Sequence, residues 1–216
     1  GCGFLTASLN TRSNLAEDIV PPASSQIYDI HGNEIANIHA AENRRPIGIN
    51  EIPKNLQNAF IAVEDNRFYD HIGIDPRGIV RAIWANIRGR TVTEGGSTIT
   101  QQLAKNAYLT QDRTLKRKVQ EVFLALQLER QYTKQEILEL YMNQIYFGQG
   151  AYGVQAAART YFGKDAKDLT LNECAMLAGI PKSPNYYSPV NNMDAATERK
   201  AVVLDQMVKY GYISDS

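Results

Sequence analysis

The chain has 216 residues, 44% hydrophobic and 21% charged, which is enough to bury the core of one large domain or two small ones. Its 15 glycines and 8 prolines exclude a collagen-like or low-complexity polymer, and equal numbers of basic and acidic residues, 23 of each, exclude a net charge that would attract a polyanion. Two cysteines, Cys2 and Cys174, cannot form a disulfide framework. The sequence contains no run of about 18 apolar residues, which is the length that a membrane span requires.

The first part of the chain predicts a tail and a connector ahead of one main domain. Residues 1–24 are polar, end near two prolines and predict a linker, which we interpret as a stub after a membrane anchor. Residues 25–52 predict a β-containing connector, because two short β-type runs flank the turn residues His31-Gly32-Asn33. We assign residues 53–216 to the domain that carries the function.

From about residue 53 the apolar spacing is helical. Leu56, Phe60 and Val63 follow one face and predict a helix that ends at Glu64, and a second helix is predicted over residues 76–88. A flexible loop follows over residues 88–96. Capping boxes predict three further helix starts, at Thr98–Gln101, Thr133–Glu136 and Thr170–Glu173.

Two apolar stripes complete the predicted fold. One predicts the inner face of a helix and comprises Leu115, Val119, Val122 and Leu126, while Val202, Val203, Met207 and Val208 predict the last helix. The pattern as a whole predicts a mostly α domain behind a short N-terminal β element.

Three groups of residues have the composition of a reaction site. The first, Glu64-Asp65 followed by Phe68, His71 and Gly73, places two acids at a helix end, where a carboxylate base could lie beside a sugar. The alternative for this group is a solvated turn with a buried Phe68 and a structural histidine.

The second and third groups suit an anion. Gly95-Gly96-Ser97-Thr98 leads into a helix start that offers backbone N–H groups to phosphate, and its alternative is an ordinary capped helix. The segment 105–118 is basic, with Asp112 its single acid, and a carboxylate beside it could organise the cations or a divalent metal on a pyrophosphate. The alternative for the third group is a surface pair between Arg117 and Glu121.

Together these groups resemble the five ordered motifs of family 51 peptidoglycan glycosyltransferases, the polymerase module of class A penicillin-binding proteins and of monofunctional glycosyltransferases. The resemblance runs from about residue 53 to residue 210. It rests on Glu64-Asp-x-x-Phe68-x-x-His71-x-Gly73, Gly96-Ser-Thr-Ile-Thr-Gln-Gln102, Arg117-Lys-x-x-Glu121, Lys134-x-x-Ile137-Leu-Glu-x-Tyr141-x-Asn143 and Arg199-x-x-x-Val203-Leu204.

The resemblance implies a lysozyme-like fold of two lobes and polymerisation of lipid II into β-1,4-linked strands with inversion. It assigns the base to Glu64, and Glu121 to the pyrophosphate region, where it would organise cationic side chains or a divalent cation, Mg²⁺ or Mn²⁺. The residues implied to bind substrate are Asp65, Phe68, His71, Ser97, Thr98, Gln101, Gln102, Lys105, Asn106, Arg113, Arg117 and Lys118. The motifs around Lys134 and Arg199 are predicted to be mainly structural.

The resemblance also implies partners and a location. We expect lipid II and the growing strand, the outer face of the bacterial cytoplasmic membrane, a transpeptidase domain downstream and no nucleic acid. Residues 79–96, with Ile83, Trp84 and Ile87 beside arginines, predict a segment that docks on the bilayer, or else an ordinary core-packed helix.

Two other functions remain open from the sequence. A lysozyme-like hydrolase or lytic transglycosylase would cleave the same polymer with two carboxylates. A noncatalytic polyanion-binding module would use residues 77–90 and 105–118.

Overall fold

A computed structural model describes residues 26–28, 34–37, 45–87, 96–108 and 115–215. Strands β1 (Gln26–Tyr28) and β2 (Glu34–Asn37) pair antiparallel, with Ile27 opposite Ala36, which confirms the predicted β element. The helices that follow are α1 Lys54–Glu64, α2 Pro76–Ile87, α3 Ile99–Tyr108, α4 Leu115–Gln131, α5 Lys134–Gln144, α6 Val154–Phe162, α7 Leu171–Gly179, α8 Pro184–Tyr187 and α9 Met193–Lys209. Single 3-10 turns occur at Ile49–Glu51, Ala166–Asp168 and Ile180–Lys182.

The prediction of a mostly helical fold is confirmed. The helices predicted from about residue 53 to Glu64 and over 76–88 are present as α1 and α2, and Pro53 is the N-cap of α1. Of the loop predicted over 88–96, only Gly96 belongs to the described residues. Among the described residues, none of the helices combines the length and the apolar character needed to cross a membrane.

The helix α1 lies at the centre of the core. Seven of its residues are buried, from Leu56 to Val63, and it packs against α7 and α9. On another side the ring of Phe60 meets Tyr141 and Phe147 edge-on, with centroids 5.8 and 6.0 Å apart. Because α1 is covered on several sides, Glu64 at its C-terminus has a fixed position in the fold.

The three predicted capping boxes are confirmed, and two of them fix the starts of α5 and α7. Thr133 and Glu136 exchange hydrogen bonds at the start of α5, as Thr170 and Glu173 do at the start of α7. Satisfying two free backbone N–H groups in this way stabilises a helix start by about 1 kcal/mol.

The apolar stripe predicted on α4 is not a core face. Leu115 is 88% exposed and Val119 is 56% exposed, whereas the buried residues of α4 are Glu121, Ala125 and Leu128. At 100° per residue that buried face lies roughly 120° around the helix from the stripe. The prediction was wrong because apolar spacing identifies an apolar helix face but does not tell whether the protein core covers that face.

Candidate active site

Glu64 lies half-buried at a pocket formed where α1 ends. Its Oε2 atom accepts a hydrogen bond of 3.2 Å from Nε2 of Gln102 on α3. The pocket is lined by Glu64, Asp65, Asn66, Asp75, Gly78, Arg81, Gly96, Ser97 and Thr98. The structure therefore brings the acid of the first predicted group and the hydroxyl residues of the second group together.

Opposing effects set the protonation of Glu64. Burial raises the pKa of its carboxyl above the usual value, and the charge of Asp65 adds to this increase. The hydrogen bond from Gln102 and the positive charges of Arg199 and Lys182 lower the pKa, but burial dominates. A carboxylate whose pKa is moved toward neutrality is a better general base at neutral pH than a solvated one.

Asp65 has a different environment, although it directly follows Glu64. Its side chain is 4% exposed, and its Oδ2 atom accepts hydrogen bonds from His71 Nε2 at 2.7 Å and from the Ile99 backbone N–H at 3.0 Å. The Gly73 N–H donates to His71 Nδ1, which assigns the ring proton to Nε2. These contacts join the end of α1 to the start of α3, and so they support a structural role for Asp65 and His71.

The turn after His71 requires a glycine. Gly73 has φ +108°, and a Cβ there would lie 2.9 Å from the carbonyl oxygen of Ala125 on α4. The backbone carbonyl of Gly73 accepts a 2.6 Å hydrogen bond from Thr98 Oγ1. Thr98 also forms the capping box with Gln101 and is 2% exposed, so it is committed to joining this turn to α3.

Phe68 lies beneath the same turn and is fully buried. The Lys134 Nζ atom is 4.7 Å from the centre of its ring and donates to the carbonyl of His71 at 2.6 Å. Glu129 accepts hydrogen bonds of 2.7 Å from both Lys134 and Thr100. This network indicates that the fourth motif holds the first motif in place, as the predicted structural role of Lys134 requires.

A cationic side chain of α4 contacts Ser97, one of the residues that line the pocket. Lys118 Nζ lies 2.5 Å from Glu121 Oε1 and donates to Ser97 Oγ at 3.0 Å. Gln101 Nε2 donates to the same Glu121 oxygen at 3.3 Å. The Glu121 side chain is 3% exposed and that of Lys118 is 49% exposed, so a buried carboxylate anchors an ammonium group that solvent can reach. Since Ser97 also lines the Glu64 pocket, a hydrogen bond from Lys118 connects the ammonium group to that pocket.

The family model described as transglycosylase matches residues 31–208, which is most of the chain. The chain belongs to the transglycosylase family. This confirms the resemblance found in the sequence.

Relatives of this transglycosylase chain include penicillin-binding proteins. Penicillin-binding protein 1F of Bacillus subtilis (strain 168) is 54% identical over 192 residues, covering 89% of this chain and 27% of that protein. Penicillin-binding protein 1A of Escherichia coli (strain K12) is 50% identical over 189 residues, covering 88% and 22%. The crystal structure of penicillin-binding protein 1A from Haemophilus influenzae matches with a TM-score of 0.50 and 28% identity, covering 90% of this chain and 20% of that one.

The chain spans about a quarter of the length of the curated relatives it matches. Nothing in these comparisons supports the glycan-cleaving alternative.

The remaining predicted residues of this transglycosylase lie on α3 and α4 or outside the description. Lys105 is half-buried and Asn106 exposed on the last turns of α3, and Arg117 is half-buried on α4. Arg113 lies outside the described residues. Lys118 forms an ion pair with Glu121, and the Glu121 side chain is 3% exposed, so this carboxylate faces inward from α4 instead of lying at the surface.

Two cations near Glu64 were missed as site residues. Arg199 on α9 is 5% exposed, its Nε atom has no hydrogen-bond partner among the described residues, and its guanidinium lies 5.9 Å from the Tyr187 ring. Both Arg199 and Lys182 act on the charge of Glu64. The sequence signal for Arg199 was an arginine among the apolar positions of the last helix, because charged residues are seldom buried unless they are paired.

The predicted divalent cation can be tested against the side chains present. The described part of the chain has no group of three or more His, Cys, Asp or Glu residues placed to hold a metal ion. The Oε1 atom of Glu121 is already bound by Lys118 and Gln101. The described residues therefore do not fit a resident metal ion, and we derive no step through one.

Proposed function

We propose that this domain is a peptidoglycan glycosyltransferase that polymerises lipid II. The observation that supports this most is that Glu64 and Ser97 line one pocket and that the cation Lys118 donates a hydrogen bond to Ser97. A hydroxyl nucleophile and a pyrophosphate leaving group require these two kinds of group on opposite sides of one sugar carbon.

In the proposed reaction the Glu64 carboxylate accepts the proton of the 4-hydroxyl of the acceptor N-acetylglucosamine. The hydroxyl oxygen forms a bond to C1 of the donor N-acetylmuramic acid from the face opposite the pyrophosphate. The C1–O bond to pyrophosphate breaks, and the pyrophosphate leaves with the electron pair, which inverts the configuration at C1. Lys118 stabilises the negative charge that develops on the leaving group, with Lys105 and Arg113 proposed as further cations.

Glu121 then serves as the anchor of Lys118. A buried carboxylate beside an ammonium fixes the position of a charge that would otherwise sample many rotamers. This positioning keeps the ammonium beside Ser97 before the substrate arrives, and such preorganisation is the main way in which a fixed charge lowers a barrier.

The domain is proposed to work at the membrane surface, at the outer face of the bacterial cytoplasmic membrane. The apolar side chains exposed on α2 and α4 support this, since Trp84 is 56% exposed, Ile87 72% and Leu115 88%. A substrate with a polyprenyl tail requires a site that opens at the bilayer. A transpeptidase domain downstream is proposed from the penicillin-binding relatives.

The decisive experiment follows labelled lipid II with wild-type protein and with Glu64→Gln. We expect polymer from the wild type and a rate at least about 10²–10⁴-fold lower from the variant, which keeps the size of the side chain but cannot accept the proton. Lipid II affinity should be retained, because a base acts mainly on the transition state. Near-normal polymerisation by Glu64→Gln would falsify the assignment of the base, and cleavage of preformed glycan without polymerisation would show a lytic enzyme.

A further inference from the structure

A second hydrogen bond fixes the amide that holds Glu64. The Tyr141 hydroxyl donates to Gln102 Oε1 at 3.2 Å, and Gln102 Nε2 donates to Glu64 Oε2, also at 3.2 Å. One side-chain amide therefore connects a buried tyrosine on α5 to the carboxylate at the end of α1. From the sequence, the motif that contains Tyr141 was predicted to be mainly structural.

The tyrosine end of this connection is rigid. Tyr141 is 1% exposed, and its ring packs edge-on against Phe60 at an angle of 83°. Phe60 lies one turn before Glu64 on α1, so the Tyr141 ring packs against the same helix that carries the Glu64 carboxylate. Burial raises the pKa of the Tyr141 hydroxyl well above its usual value, so the group keeps its proton and remains a donor.

The carboxylate, which only accepts hydrogen bonds, and the tyrosine hydroxyl together set which end of the amide faces Glu64. The two ends of a glutamine amide have nearly the same shape, but one donates and the other accepts hydrogen bonds. With Oε1 bound by the tyrosine hydroxyl, the NH₂ group faces the carboxylate and stabilises its anionic form. If the amide turned over, Oε1 would lie against an anionic oxygen, which is repulsive.

Other charged groups around Glu64 shift its pKa through electrostatic interactions. Arg199 on α9 and Lys182 in the 3-10 turn lower the pKa of Glu64, and Asp65 and burial raise it. Asp75 and Arg81 line the same pocket as Glu64. The amide of Gln102 donates a hydrogen bond to Oε2 of Glu64, and the other oxygen, Oε1, is the one that we assign to the acceptor hydroxyl.

We propose that Tyr141 is a positioning residue of the glycosyl transfer reaction, which fixes the Gln102 amide and through it holds Glu64 oriented and ready to accept a proton. This inference rests on the proposed function of Glu64 as the base. Tyr141 does not itself touch the substrate.

The test is the pH dependence of lipid II polymerisation by Tyr141→Phe. This change removes one oxygen atom and keeps the ring against Phe60. We expect the acidic limb of the kcat profile to move to higher pH by up to about one unit, which lowers the rate up to about tenfold below that limb. The KM for lipid II should stay within about twofold, because the substrate contacts are unchanged.

Tyr161→Phe is the matched control. Tyr161 is half-buried, and its hydroxyl donates to the carbonyl of Phe147 at 2.6 Å and hydrogen-bonds with Ser188 Oγ at 3.3 Å, away from Gln102 and Glu64. Its removal should lower the Tm by a similar amount and leave the acidic limb in place. A shift of equal size in Tyr161→Phe would mean that general loosening of the fold is the cause, and the proposal would be abandoned.

A double-mutant cycle with Gln102→Met identifies the route of the effect. If Tyr141 acts through the amide, its substitution in the Gln102→Met background should move the acidic limb no further. Additive shifts, or an unchanged limb in folded Tyr141→Phe, overturn the proposal. If Tyr141→Phe does not fold, Gln102→Met decides alone, since an unchanged limb there shows that the amide does not hold Glu64. None of these outcomes affects the Glu64→Gln test of the proposed function.

Discussion

His71 Nε2 donates to Asp65 Oδ2 across 2.7 Å, with both side chains almost fully removed from solvent. Adjacent acids at the end of α1 therefore have separate tasks. Asp65 joins two helices, while Glu64 faces the pocket and has a raised pKa. A pair of neighbouring carboxylates in a sequence does not by itself say which one is the base, and here burial and hydrogen bonding distinguish them.

The raised pKa of Glu64 predicts a pH-dependent stability difference. A carboxyl with a higher pKa in the folded than in the unfolded state makes folding less favourable as pH rises through the interval between the two values. Glu64→Gln removes that cost, so the variant should have a higher Tm than the wild type at pH 7. The difference should disappear as the pH falls below the ordinary value of 4.5, where both states are protonated. Thermal unfolding between pH 4 and 8 measures it, and a Tm difference that grows on acidification contradicts the prediction.

Lys118→Met should reduce polymerisation. Loss of one preorganised donor to a developing negative charge costs roughly 10²–10³-fold in kcat. Glu121→Gln should have a smaller effect of the same kind, because the ammonium remains but loses the carboxylate that holds it beside Ser97. Steady-state kinetics with lipid II measure both variants, and a normal rate for Lys118→Met would remove Lys118 from the site.

Polymerisation by Glu121→Gln at several Mg²⁺ concentrations and with a chelator tests the predicted divalent cation. A defect that grows as Mg²⁺ is lowered supports a metal on the pyrophosphate. A defect that is the same at every Mg²⁺ concentration contradicts it and leaves Lys118 as the group that Glu121 organises.

The exposed apolar side chains of α2 predict binding to a lipid surface. Trp84→Ala combined with Ile87→Ser should reduce cosedimentation with anionic phospholipid vesicles without lowering the Tm, since both side chains are more than half exposed. Val190→Ser is the control, because Val190 is 67% exposed but lies between α8 and α9. Equal loss of vesicle binding in the control, or unchanged binding in the double variant, would show that α2 is not the docking surface.

Gly179→Ala should destabilise the protein by about 1–3 kcal/mol. A Cβ at this position would lie 2.7 Å from Cγ of Arg199, so α7 and α9 would have to separate or the arginine would have to move. Gly48→Ala is the control, because its added methyl would meet only Glu51 Oε2, at an ordinary 3.8 Å. Urea unfolding compares the two variants, and equal stability of Gly179→Ala and the wild type would show that the contact between α7 and α9 relaxes freely.

The sequence predicted the helical fold well because its signals were local. Reciprocal capping residues such as Thr133 and Glu136 fix a helix start within four residues, and the spacing of Leu56, Phe60 and Val63 was enough to end α1 at Glu64. The prediction for α4 was wrong because local spacing does not determine which side of the helix packs against the rest of the fold. Leu115 and Val119 face away from the protein, and Glu121 faces inward.

The sequence predicted which residues belong to the site better than it predicted the contacts between them. Glu64, Ser97 and Lys118 were all singled out; Glu64 and Ser97 line one pocket, and Lys118 donates a hydrogen bond to Ser97. The influence of Arg199 on Glu64 was not predicted, because 135 residues separate them and only the packing of α9 on α1 brings them together. Long-range relations of this kind depend on tertiary structure, which spacing along a chain does not encode.

The burial of α1 has a consequence for how a polymer is made. Helices enclosed by the rest of the fold are the last to open, so backbone amide exchange should be slowest there, from Leu56 to Val63. In the proposed reaction the proton acceptor therefore lies at the end of a helix with seven buried residues. In the proposed reaction the base keeps its place between cycles, so in a processive reaction the growing strand would slide past Glu64 by one disaccharide after each new bond.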